Sequence, residues 1–120
     1  MMVTVPRRAK GYTSRAGAGR VPNDDSLPER ASSAGGVYST VADLLRYDAA
    51  LARGSLVAEP SMLAIGRRLG GMGIAGGAPG LNAALDQDVN GYTLVVLANL
   101  DPPAAGDLAR AIRPIVEAIR

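Results

Sequence analysis

The chemistry open to this chain is bounded first by what it lacks. Its 120 residues contain no His and no Cys. The usual general base near neutral pH is therefore missing, and with it Ser-His-Asp and Cys-His mechanisms within the chain. Disulfides and thiolate metal sites are excluded as well. The hydroxyl and amine nucleophiles that remain are those of Ser, Thr and Tyr and of a single Lys, Lys10. An S-x-x-K motif is impossible, because Arg7 stands three residues before Lys10. G-x-S-x-G is absent. Y-x-N is absent too, since Tyr12, Tyr38, Tyr47 and Tyr92 are followed two places on by Ser14, Thr40, Ala49 and Leu94. No Ser has a local base partner to activate it.

Two motifs spell ligand sites and read better as structure. Gly71-Met72-Gly73-Ile74-Ala75-Gly76 is a G-x-G-x-x-G run. A dinucleotide fingerprint needs a strand before it and a helix after it. Here Arg67-Arg68 precede, Pro79-Gly80 and a strand follow, and no Lys completes a phosphate loop. Asp86-Gln87-Asp88-Val89-Asn90-Gly91 matches the first half of a calcium loop, but its twelfth place is Leu97 instead of a bidentate acid. Its flanks read as strands, so a polar hairpin turn accounts for the same letters.

At 12.3 kDa the chain is sized for one domain. Its 48% hydrophobic content is enough to bury a core. Phe and Trp are absent, so that core must be built from Leu, Val, Ile and Ala. The formal net charge is +2. Basic residues do not cluster, acidic residues are interspersed, and no aromatic-basic stripe offers a stacking platform, so nucleic acid is not an expected partner. Tyr92 to Leu100, the longest apolar stretch, is far too short to span a membrane. The opening residues lack the apolar segment of a signal peptide, and the compartment is left open.

These residues must be positioned by a modest set of elements. Residues 1–36 read as loop-rich. Val3 to Val5 is a short strand stopped by Pro6. Lys10 to Ser14 and Arg20-Val21 form a weak pair about the turn Ala16-Gly17-Ala18-Gly19. Residues 37–66 read as helical. Thr40 caps a first helix with Asp43, the stripe runs through Val41, Leu44, Leu45, Leu51, Ala49 and Ala52, and Gly54 ends it. A second, short helix opens at Glu59-Pro60-Ser61 and ends at Gly66. Residues 70–120 begin with a glycine-rich stretch. Leu81 to Gln87 alternates as a strand, and Tyr92 to Asn99 reads as a strand buried on both faces. Asn90-Gly91 joins them in a hairpin. Asp101 then caps a terminal helix with Pro102 at its first position. That helix carries the stripe Leu108, Ile112, Ile115, Val116 and Ile119, and Pro114 predicts a kink.

Several blocks taken in order resemble a known family. They are Lys10-Gly11-Tyr12, Ser33 to Tyr47, Ala75-Gly76-Gly77-Ala78-Pro79-Gly80-Leu81-Asn82-Ala83, Gly91 to Asn99, and Asp101-Pro102-Pro103-Ala104-Ala105. The series resembles the C-terminal part of beta-lactamase-family serine hydrolases: class C beta-lactamases, D-alanyl-D-alanine carboxypeptidases and related esterases. It covers residues 9 to 119.

The resemblance implies acylation and hydrolysis at a Ser activated by the Lys of S-x-x-K and helped by the Tyr of Y-x-N. Both motifs lie upstream of the matched blocks. The third motif, K-T-G or H-x-G on an edge strand, falls on Ile74-Ala75-Gly76, with Ile74 in the place of the cation. Gly76 and Gly77 would then be the substrate-binding and oxyanion element. Glycine suits such a place, because substrate must approach the backbone closely.

The resulting expectation is an α+β fold, a partial beta-lactamase/transpeptidase-like domain over residues 1–120. It would hold an antiparallel sheet with hairpin 81–98 and a C-terminal helix packed on one face. No catalytic residue, metal or cofactor is assigned. A small-molecule or peptide substrate is expected only if an N-terminal half completes the site. Three origins stay open: a truncated reading frame, a degenerate remnant, or half of a two-chain enzyme. The alternative is a non-catalytic α+β interaction module that uses the sheet's open face to pair with itself or with another chain.

Overall fold

A computed structural model describes residues 5–28, 31–33, 35–57 and 74–119. Along them run β1 (Tyr12–Arg15), β2 (Gly19–Pro22), a 3-10 turn (Asp24–Ser26), α1 (Val41–Ala52), β3 (Ile74–Ala78), β4 (Leu81–Val89), β5 (Tyr92–Ala98) and α2 (Ala104–Glu117). The fold is α+β. β1 and β2 form a two-stranded antiparallel ribbon, and β3-β4-β5 form a three-stranded antiparallel sheet in that order. The expected second helix at 59–66 and the glycines Gly70, Gly71 and Gly73 lie outside the described residues. Val5 is not in a strand.

The hairpin 81–98 forms as its turn residues dictate. Asn90 and Gly91 take φ of 52° and 79°, and Val89 pairs with Tyr92 across them. Positive φ at both central residues is what a type I′ turn needs. The register shifts between Asp86 and Val89, where β4 carries one more residue than β5 and Asp88 takes φ 53°. This β-bulge has no signal in the sequence.

α2 packs on one face of the sheet, as expected, but with a different stripe. Ala105 and Ala109 are buried against Ala84 and Val96, with Leu94 and Ala98 beside them. Of the five expected core residues, Leu108, Ile115 and Ile119 are exposed, and only Ile112 and Val116 are half-buried. Small residues let the helix axis approach a sheet face that itself offers Ala84. Large side chains at the contact would hold the two apart. The helix continues through Pro114 to Glu117.

The cap of α2 also differs from the expected one. The helix begins at Ala104, after Pro102 and Pro103, and its N-cap residue Pro103 offers no side-chain acceptor. Asp101 accepts the N–H groups of Ser14 and Gly80 instead, each at 2.7 Å.

Among the described residues β5 is an edge strand of its sheet, and β4 is the central one. Val96 is buried while Tyr92 and Leu97 are exposed, so β5 is not buried on both faces along its length. Its second face is not bare either. Thr93 alternates away from the Leu94–Val96–Ala98 side that meets α2, and its hydroxyl donates to Asp48 of α1 at 2.5 Å. The two helices therefore lie on opposite faces.

α1 is capped as its sequence demands. The Asp43 N–H donates to Thr40 Oγ1 at 3.1 Å, and the Thr40 hydroxyl donates to Asp43 Oδ2 at 2.9 Å. This bond, with the Arg46 guanidinium, holds the Asp43 carboxyl below the usual carboxylate range. At the other end Gly54 N–H bonds the Leu51 carbonyl and Ser55 N–H the Ala50 carbonyl, a complete Schellman motif. The buried side is Asp48 and Leu51, with Leu44 half-buried. Val41 and Leu45, placed on the stripe by spacing, are exposed.

Candidate functional site

The residues singled out for substrate approach, Gly76 and Gly77, lie in β3, which is an edge of the sheet among the described residues. Ile74-Ala75-Gly76, where the resemblance would put the third motif, opens that strand, so the tail of the G-x-G-x-x-G run enters a strand and not a helix. The turn Pro79–Gly80 closes β3 onto β4, with Ala78 opposite Leu81. A two-residue connection closes on a pair that exchanges both backbone hydrogen bonds, and such pairs recur at every second residue. Counting back, Gly76 opposite Ala83 is a bonded pair and Gly77 opposite Asn82 is not. The Asn82 amide donates to the Gly76 carbonyl at 2.8 Å, which agrees with that carbonyl pointing toward β4. The N–H and carbonyl groups of Ala75 and Gly77 therefore turn outward. No strand pairs with that edge among the described residues.

Ala75, Gly76 and Gly77 are exposed. None of the usual edge protections, an inward charge, a Pro or a bulge, interrupts Ile74–Ala78. The two glycines have different surroundings. A Cβ on Gly76 would meet nothing within 4 Å, whereas one on Gly77 would lie 2.5 Å from Pro102 Cγ and 3.1 Å from Asn82 Nδ2. Packing is thus enough to require Gly77, whereas no described residue gives Gly76 a steric neighbour that demands glycine.

Asn82 organises this corner. While its amide nitrogen holds Gly76, its Oδ1 accepts the Ala105 N–H at 2.7 Å, in the first turn of α2. It supplies the acceptor that Pro103 cannot. Asp101 ties the same corner to the N-terminal ribbon. Its two backbone donors, Ser14 first and Gly80 second, hold its carboxyl below the usual carboxylate range. The ribbon is fixed further by Tyr12 N–H to the Asn99 carbonyl and by the Asn99 amide to the Lys10 carbonyl, both at 2.9 Å. Buried Asn23 donates to the Pro79 carbonyl at 2.9 Å behind the turn.

The remaining candidates stand elsewhere. The Lys10 ammonium faces Asp24 at 3.8 Å, and Arg8 bridges Asp24 and the Tyr38 hydroxyl. Asp86, Asp88 and Asn90 belong to the end of β4 and its turn. Asp86 pairs with Arg113 at 3.4 Å. No cluster of three metal-ligating side chains occurs among the described residues. No described helix is long and apolar enough to cross a membrane. Spacing could not reveal the double role of Asn82. Its only trace is a polar residue on the strand face that α2 covers.

No protein family, curated protein or solved structure matches the chain.

Proposed function

We propose that this chain is a C-terminal segment of a beta-lactamase-like serine hydrolase, in which the outer edge of β3 receives an extended acyl or peptide substrate. The chain alone does not hydrolyse it. The observation that carries the reading is the outward Gly77 N–H on a side-chain-poor strand whose outer edge is unpaired among the described residues. Such a group can donate to a carbonyl oxygen or to the oxyanion that develops from it. A donor without an attacking group leaves no route to acylation, and no Ser here has Lys or His beside it in sequence.

Two measurements test this. The purified chain, offered a chromogenic cephalosporin or a p-nitrophenyl ester, should show no turnover above background, and a fluorophosphonate probe should label no Ser. A labelled Ser would overturn the inactivity. In an NMR titration with a peptide ending in D-alanyl-D-alanine, amide shifts should concentrate at Ala75 to Ala78. Binding without shifts there, or no binding, would overturn the substrate edge.

A second reading is a non-catalytic module that self-associates. It rests on the exposed face of α2, where Leu108 and Ile115 are 50% and 67% accessible. Apolar side chains left in water in this way mark interfaces. Sedimentation at micromolar concentration decides it, and a monodisperse monomer refutes it.

A further inference from the structure

Asn90 is both the first residue of the Asn90-Gly91 turn and a latch on the end of α2. Its side-chain amide donates to the Ile119 carbonyl at 2.7 Å and lies 3.4 Å from the Val116 carbonyl. The Val116 carbonyl belongs to the last turn of α2 and the Ile119 carbonyl lies just past its C-cap, Ala118, so both stand at the negative end of the helix dipole, where a donor is favoured and an anion is not. Asn and Gly are the residues the type I′ turn selects. An Asn followed by Gly is also the pair best suited to intramolecular deamidation, since Gly puts no side chain in the way of its own nitrogen. Asn23, Asn82 and Asn99 are followed by Asp24, Ala83 and Leu100, so Asn90 alone has this neighbour. Asn90 and Gly91 are both exposed to water, and a Cβ at Gly91 would meet nothing within 4 Å.

We propose that Asn90 is a modification site: its deamidation converts the latch into a repulsive contact and frees the last turn of α2. The Gly91 backbone nitrogen attacks the Asn90 side-chain carbonyl carbon and loses its proton, and ammonia leaves. Water then opens the resulting succinimide ring at one of its two carbonyls, giving aspartate or isoaspartate. The net change is one water consumed and one ammonia released, with no redox step. Either product replaces a donor by an ionised carboxylate, which can only accept. It then faces two acceptor carbonyls at the helix's negative end. Isoaspartate also lengthens the backbone within a two-residue turn. Because the amide is held by Ile119, its release is the step that exposes Asn90 to attack, so the reaction follows fraying of α2.

The test is ageing of the full chain in mildly alkaline buffer, followed by peptide mass spectrometry and hydrogen exchange. Conversion at Asn90 should precede conversion at Asn23, Asn82 and Asn99. The converted fraction should show faster exchange at residues 116–119 and a lower melting midpoint. Asn90→Asp should reproduce both effects at once. Asn90→Gly keeps the positive φ but removes the latch without adding charge, and should show a smaller loss. An intact Asn90 when another Asn has converted would overturn the proposal. So would conversion that leaves exchange at 116–119 unchanged, or equal losses in the Asp and Gly variants.

Discussion

Asn82 of β4 accepts the N–H of Ala105 at 2.7 Å, so a strand residue caps the helix that packs on its own sheet. The same side chain holds the Gly76 carbonyl, which couples the open edge of β3 to the start of α2. Asn82→Ala removes both bonds and should cost about 1–2 kcal/mol, the usual loss for a helix-capping side chain. Asn82→Asp sets a carboxylate against the Gly76 carbonyl but keeps the acceptor for Ala105 and puts its charge at the N-terminus of α2, where an anion is favoured, so its loss should be smaller. Urea melts of the three proteins check this. Equal losses for Ala and Asp would mean that the cap contributes nothing.

Gly77 and Gly76 separate packing from binding. A methyl on Gly77 would press on the ring of Pro102 at 2.5 Å, and neither the ring nor the strand can give way freely. Gly77→Ala should therefore lose about 1–3 kcal/mol, as overpacked sites do. Gly76→Ala meets open space and should leave the melting curve near that of the parent or raise it slightly. If the β3 edge binds an extended chain, Gly76→Val should weaken that binding while the fold survives. A destabilised Gly76→Ala would show that the space beside β3 is filled.

Several elements were legible in the sequence because the signals that form them are local. Asn90-Gly91 set a type I′ turn, and Thr40 with Asp43 set the start of α1. Two misread features depend on contacts made outside their own segment. Asp101 before two prolines has the letters of an N-cap, yet Ser14 lies 87 positions away and claims its carboxylate. The bulky stripe of α2 looks like a core face by hydrophobicity. Contact with Ala84 and Val96 selects Ala105 and Ala109 instead. The two glycines of the candidate site were visible through their letters. The outward direction of the Gly77 N–H follows only from the register of β3 on β4.

Asp101 predicts a pH dependence with a definite sign. Its two short bonds from the Ser14 and Gly80 N–H groups depress its folded-state pKa. The ionised form is then favoured in the folded chain. Its stabilisation is fully present above the ordinary carboxylate range and disappears as pH falls through the depressed folded value. Asp101→Asn removes that term, because the amide does not titrate and can accept only through its oxygen. The parent should be the more stable protein at neutral pH, and the gap should close on acidification through the carboxylate range. Melting midpoints measured across that range check this. A gap independent of pH would rule out the ionised Asp101 as its source.

The last expectation concerns the contact between α1 and β5. Asp48 is 7% accessible, its Oδ2 accepts from Thr93, and its Oδ1 has no partner among the described residues. A buried acceptor left unmade forfeits its hydration with nothing in return. Thr93→Val removes the donor that holds Asp48 among the described residues and should cost about 1.5–3 kcal/mol, the scale of a hydrogen bond to a charged group. Replacing both partners is a different matter. Asp48→Leu with Thr93→Val exchanges an incompletely satisfied polar pair for apolar contact between a helix and a strand that already meet there. Such replacements are often neutral or stabilising. The double variant should therefore recover all that Thr93→Val loses and match or exceed the parent in urea midpoint, with an unchanged denaturant slope. If the double variant is no more stable than the single one, the carboxylate has a compensating partner and the orphaned oxygen is not a cost to the fold.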